Sequence, residues 1–97
     1  MTELSKIQAL AGEELKEANE KNPLFHSDHE AYAVILEEFE ECSEEVSSMS
    51  LWIAKMWEKI RYNDEIDSTM TAIKYHALRG AAEAIQVAAM CDKVVMK

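Results

Sequence analysis

The chain has 97 residues, 48% of them hydrophobic, with two Gly and one Pro, which excludes a disordered polypeptide and sets the scale at one small domain spanning 1–97. Ten basic against nineteen acidic residues give a net charge of −9. That excludes a nucleic-acid backbone as partner, because phosphate chains need clustered Lys and Arg.

An anionic small substrate stays open if a divalent metal supplies the positive charge. The β-branched residues are scattered and never alternate over a useful length, so the expected fold class is all-α. Cys42 and Cys91 are too few and too far apart for a disulfide framework or a zinc motif, and both fall at apolar helical positions as reduced core thiols. "MTELSKIQAL" has neither a basic start nor an apolar run, and no segment is apolar enough for a membrane span. The expectation is a cytoplasmic protein with no membrane partner.

The first helix is expected over Thr2–Lys21, where Leu4, Ile7, Ala11, Leu15 and Ala18 recur at spacings of three and four. Asn22 and Pro23 stop it. "NPLFHSDH" is loop-like. Ser27 or Asp28 can cap the next helix, with Glu30 placed to complete a box with Ser27. The second helix carries one stripe from end to end: Ala31, Ile35, Phe39, Cys42, Val46, Met49, Ile53, Met56, Trp57 and Ile60 fall within about 100° of arc. The stripe does not slip at "VSSMSL". Unbroken to Arg61, the helix would be about 45 Å long. That exceeds the diameter of a compact domain of this size, so a partner chain is expected to cover part of it. "YNDEID" is the second turn, with Asn63 as terminator and Asp64 as cap. The third helix is expected over Asp64–Val95, with a stripe from Ile66 through Met70, Ile73 and Ala77 to Val95. Its Ala-rich middle holds Gly80, where another helix can approach closely.

Acids crowd the stretch "HEAYAVILEEFEECSEEV". With Ala31 at zero on the helical wheel, Glu38 falls at about −20°, Glu45 at about −40° and Glu41 at about −80°. These three form a ridge at the margin of the buried face, while Glu37, Glu40 and Glu44 point away. Like charges at i,i+3 and i,i+4 repel, and partial burial raises the penalty. A bound Mg²⁺ would reverse its sign, since hard oxygen ligands are what that ion takes. On the third helix His76, Arg79, Glu83 and Gln86 form a matching flank. Glu83 is the only acid between Asp67 and Asp92. The plain alternative is boundary Glu residues that reach out to water.

"PLFHSDHEAYAVILEEFEECSEEV" followed by "LRGAAEAIQVAAM" resembles the MazG-like nucleotide pyrophosphohydrolases of the all-α NTP pyrophosphatase superfamily. It is closest to a small branch common in phages and Gram-positive bacteria. The resemblance covers Pro23–Val46 and Leu78–Met90, about two-fifths of the chain. It implies a MazG-like antiparallel helical bundle of about three long helices; the long stripe of the second helix, and the few helices available to enclose a nucleotide, add the expectation that oligomerisation as a homodimer or homotetramer completes it. It also implies Mg²⁺- or Mn²⁺-dependent hydrolysis of a nucleoside or deoxynucleoside triphosphate to the monophosphate and pyrophosphate. The family's E-E-x-x-E motif matches "EEFEE", so Glu37, Glu38 and Glu41 carry over as catalytic carboxylates, Glu38 and Glu41 being metal ligands. Its E-x-x-D motif matches "EAIQ", so Glu83 carries over as a ligand and Gln86 stands where the family has aspartate. A neutral amide there is the poorer ligand, and it favours the alternative of a binding or assembly module that keeps the fold without catalysis. The gap between Glu41 and Glu83 is also longer than usual and reads as an extended hairpin. Arg79, one turn before Glu83, is placed for a phosphate contact or a surface ion pair. His26 and His29 are placed to border a base or ribose pocket or simply to begin a helix. Trp57 lies on the core stripe and is expected to pack; Lys55, Lys59 and Arg61 are expected in solvent.

Overall fold

The computed structural model describes residues 3–22 and 24–96, which form three helices, α1 (Leu4–Lys21), α2 (Asp28–Arg61) and α3 (Asp67–Val95). No strand occurs among the described residues, so the chain is all-α. Thr2, expected to open α1, and Pro23, expected to help stop it, lie outside the described residues. At the end of α1 the backbone turns extended at Asn22, whose N–H still donates to the Ala18 carbonyl at 2.9 Å.

The cap of α2 is Ser27, not Asp28: its Oγ accepts from the Glu30 N–H at 3.1 Å. Asp28 and Glu30 instead lie in the first turn, where negative charge complements the helix dipole. Glu30 reaches back one residue beyond the usual box, and its Oε2 accepts from the His26 N–H at 3.4 Å. With no Gly or Pro inside it, α2 runs through "VSSMSL" without a break for 34 residues, about 51 Å. Asn63 then takes φ 56°, the left-handed conformation that Asn tolerates better than most residues. α3 begins at Asp67 rather than Asp64. The carboxylate that accepts from the Asp67 N–H belongs to Glu65, while the Asp64 N–H closes the end of α2 on the Lys59 carbonyl at 2.9 Å.

α3 is the hub, with α2 packed along it and α1 packed against it as well. Contacts from the turn outward link Lys59 to Ser68, Glu45 to His76 and Cys42 to Gly80, so α3 folds back along α2. α1 meets the far end of α3 through Glu14 with Gln86 and Asn19 with Met96. α2 and α3 approach closely at Gly80, which is buried and whose carbonyl accepts from the Cys42 thiol at 3.5 Å.

One expectation changes here. Only part of the expected stripe of α2 lies in its contact with α3. Ile35, Cys42, Met49 and Met56 are half-buried, but Phe39, Val46, Ile53 and Ile60 are exposed, and Trp57 is 61% exposed instead of packed. Against Gly80 of α3 lie two members of the stripe, Cys42 and Met49, together with Glu45 from outside it. Consequently the buried hydrophobic residues among those described are three alanines, Ala11, Ala31 and Ala89, and one large side chain, Met90. The molecule is elongated, 57 × 27 × 19 Å with a radius of gyration of 17.1 Å, against about 13 Å for a compact chain of this length. None of the described helices is long and apolar enough to cross a membrane.

A methyl group at Gly80 would meet Glu45 Cβ at 3.4 Å and Met49 Cε at 4.0 Å, ordinary van der Waals contact. Gly80→Ala should therefore raise the melting temperature through helix propensity, by up to about 1 kcal/mol. Gly80→Leu should lower it by forcing α2 and α3 apart. Thermal melts followed by circular dichroism check both signs; a destabilising Gly80→Ala would mean that the helices leave no room there.

Candidate functional site

The register set at Gly80 fixes which acids meet. Glu38 and Glu41 lie one turn apart on α2, and Glu83 lies one turn beyond Gly80 on α3. One carboxylate oxygen from each of the three falls within 4.8 Å of the others. Glu38 and Glu83 are half-buried and Glu41 is exposed, so the cluster opens to solvent on one side.

Electrostatics there is unfavourable to three full negative charges. Burial pushes Glu38 above the usual carboxylate range, and the charges of Glu41, Glu37 and Glu14 push it further, while a hydrogen bond with Glu83 acts the other way. Glu41 is also raised, first by its hydrogen bond with Glu83 and then by the Glu83 charge. A proton on Glu41 lets it donate to Glu83, which is how two neighbouring carboxyl groups relieve repulsion. No cation balances the cluster: the ion pairs among the described residues both belong to Glu45. Three hard oxygen donors with no counter-charge suit Mg²⁺ or Mn²⁺, and modest side-chain rotation would gather them on one ion.

Glu45, the third member of the expected ridge, has a different fate. Its Oε2 lies 2.7 Å from His76 Nδ1 and its Oε1 accepts from Arg79 Nε at 3.0 Å. The His76 contact, chiefly, holds it below the usual range. Arg79 also donates to the Tyr75 hydroxyl at 3.2 Å and lies 5.5 Å from that ring's centroid. Of its two expected roles, the one present is the ion pair.

The remaining candidates lie apart from the three acids. Glu37 is exposed on the outer side of α2. Gln86 turns toward α1, where its Nε2 donates to Glu14 Oε2 at 3.2 Å. His26 and His29 are exposed at the start of α2, and His29 is about 14 Å along the axis from Glu38. His26 does border a cavity of about 350 Å³ together with Phe25, Ala31 and Lys93. A second cavity, of about 520 Å³, is lined by Glu14, Lys21, Glu30, Gln86 and again Lys93.

Lys93 escaped sequence reading. It is only 5% exposed, and its Nζ sits 4.8 Å from the Phe25 ring centroid. The signal was available: Lys93 follows Gln86 by seven residues, so both fall on one side of α3. Glu14 was missed because a helical wheel for one helix carries no information about its neighbour. Trp52 is half-buried under Lys55, whose Nζ is 5.0 Å from its ring.

No family model, curated protein or solved structure matches the chain.

The raised acids predict a pH dependence. An acid whose pKa is raised by folding adds stability that is fully present below its ordinary value, near 4.5 here, and is lost as pH rises through the raised value. Glu45, lowered, acts below that value, with stability lost as pH falls. Without divalent cations, the melting temperature should therefore rise as pH is lowered from 7 toward 4.5. Glu83→Gln removes the shared charge, so it should melt higher than wild type at pH 7 and show a flatter profile. Equal slopes for the two proteins would show that the cluster carries no such strain.

Proposed function

We propose that Glu38, Glu41 and Glu83 hold a divalent cation, Mg²⁺ or Mn²⁺, and that the protein is a MazG-like bundle, assembled as an oligomer, that hydrolyses a nucleoside or deoxynucleoside triphosphate to the monophosphate and pyrophosphate. The observation that carries this reading is the meeting of three carboxylates from two helices with no basic residue to neutralise them. Such an arrangement destabilises the chain by itself and is repaid when a cation binds. The resemblance of "EEFEE" and "EAIQ" to the family motifs supplies the substrate class.

When bound, the cation would offset the charge of the triphosphate and make water a stronger nucleophile. The protein's residues supply the rest. Glu38, Glu41 and Glu83 fix where the cation sits relative to both helices. A carboxylate of the cluster left free by the cation would accept the proton of the attacking water as the bond between the α-phosphate and pyrophosphate breaks; Glu37, exposed on the outer side of α2, would need to reorient before it could take that role. Lys93 and His26 line the cavity beside the start of α2, where the nucleoside end has room. Arg79 reaches phosphate by exchanging its exposed pair with Glu45, a contact of the kind that contributes little in water.

A second reading, a helical binding or assembly module without catalysis, is favoured by Gln86. It stands where the family has aspartate and is committed to Glu14 instead of to the acids.

Two measurements separate the readings. Pyrophosphate release from a panel of nucleoside and deoxynucleoside triphosphates should require Mg²⁺ or Mn²⁺ and should fall roughly 10²-fold or more in Glu41→Gln. In parallel, cation at a hundredfold excess over its Kd should stabilise the fold by about 2.7 kcal/mol, or roughly 10–20 °C for a domain of this size. Glu38→Gln should abolish that rise. A cation-dependent rise without turnover would favour the module; neither effect would remove the metal site.

A further inference from the structure

The side of the α2–α3 pair opposite α1 is apolar and bare. Tyr32, Phe39, Val46, Ile53 and Ile60 recur every seven residues along α2, a repeat of 3.5 per turn. They make a row about 42 Å long, and each is between 43% and 68% exposed. Beside it, on the same side by helical phase, α3 exposes Met70, Ala77, Ala84 and Ala88. Small side chains there allow another helix to come close. The carboxylate cluster lies on the other side of the pair.

Area points to a large partner. The chain exposes 7415 Å², whereas a compact protein of its mass exposes roughly 5,600 Å². The excess, about 1,800 Å², is twice the roughly 800 Å² each partner contributes to a standard interface.

Charge says which partner. Between Asp28 and Glu45, α2 carries eight acids and no Lys or Arg; from Val46 to Arg61 it carries Lys55, Lys59 and Arg61 against Glu58. A helix divided in this way complements itself when reversed. Parallel pairing would stack one acidic half on another, whereas antiparallel pairing sets each acidic half against a basic one. Charge complementarity of this sort selects orientation and register, and the seven-residue row supplies the burial.

We infer that this face is covered by the same face of a second copy of the chain, the two α2 helices running antiparallel about a two-fold axis close to Val46. Phe39 then meets the partner's Ile53, and Tyr32 meets the partner's Ile60. The contact is isologous and closes on itself, so it yields a dimer and not a fibre. This goes beyond the oligomer of the functional reading by naming face and orientation, and it is independent of catalysis.

Sedimentation of the whole chain at micromolar concentration should give a dimer or a multiple of one, and the melting temperature should rise with concentration. Val46→Glu with Ile53→Glu should yield monomer or unfolded chain. Disulfide trapping covers the unfolded case. With Cys42→Ala and Cys91→Ser as background, Val46→Cys should cross-link to itself rapidly on oxidation. Phe39→Cys should not, because two copies of residue 39 lie about 21 Å apart across such an axis. Phe39→Cys with Ile53→Cys in the partner copy should cross-link. A well-folded monomer would overturn the inference, as would equal self-cross-linking at 39 and 46 or a dimer indifferent to both glutamates. Nucleotide turnover enters none of these readouts, so loss of the hydrolase reading would leave them unaffected.

Discussion

The contact of Cys42 and Glu45 with Gly80 decides most of what this molecule presents. A helix pair can rotate about its axes and still bury some apolar surface; what stops rotation is a point of close approach. Here α3 has no side chain at that point, and α2 drops its Cys42 thiol onto the Gly80 carbonyl at 3.5 Å. Once those residues touch, Glu38 and Glu83 face each other to one side of Gly80 along the axis, and Glu45 faces His76 and Arg79 to the other, on the same flank of the pair. The same rotation turns Phe39, Val46 and Ile53 outward. Site and bare face are two results of one angle.

The acids of α2 show how environment separates chemically identical groups. Glu45 and Glu38 are two turns apart on one helix, yet one is held below the carboxylate range by His76 and the other pushed above it by burial. Glu45 is satisfied within the chain. Glu38, Glu41 and Glu83 are not, and they relieve their repulsion only by sharing protons or by accepting a cation. A protein built for stability alone would have placed a lysine among them.

Much of this was legible in the residues. Periodicity marked three helices, and the turn chemistry of Ser27 and Asn63 marked their limits to within a few residues. Wheel positions put Glu38, Glu41 and Glu45 on one ridge and Glu83 on a matching flank; Glu38, Glu41 and Glu83 converge, whereas Glu45 pairs with His76 and Arg79. What periodicity did not give was the phase between helices. An apolar stripe says which residues avoid water, not which neighbour covers them, and Phe39 or Trp57 avoids water equally well against a second chain. Partners chosen in three dimensions were invisible for the same reason: Gln86 with Glu14, Glu45 with His76, Lys93 under Phe25. Glu65 replaced Asp64 at the start of α3 because the left-handed Asn63 delays the helix.

The tight turn at Asn63 also orders events in time. Lys59 and Ser68 are 9 residues apart in sequence, whereas Glu45 and His76 are 31 apart and Cys42 and Gly80 are 38 apart. Each step is a small extension of a loop already closed, so the α2–α3 pair zips from the turn with little further loss of chain entropy. α1 has no such help; its contacts with α3 span 72 and 77 residues. Local contacts form fast and distant ones slowly. These separations predict that the hairpin forms first, that the carboxylates come together partway along its closure, and that α1 docks last, onto a surface that has already been made.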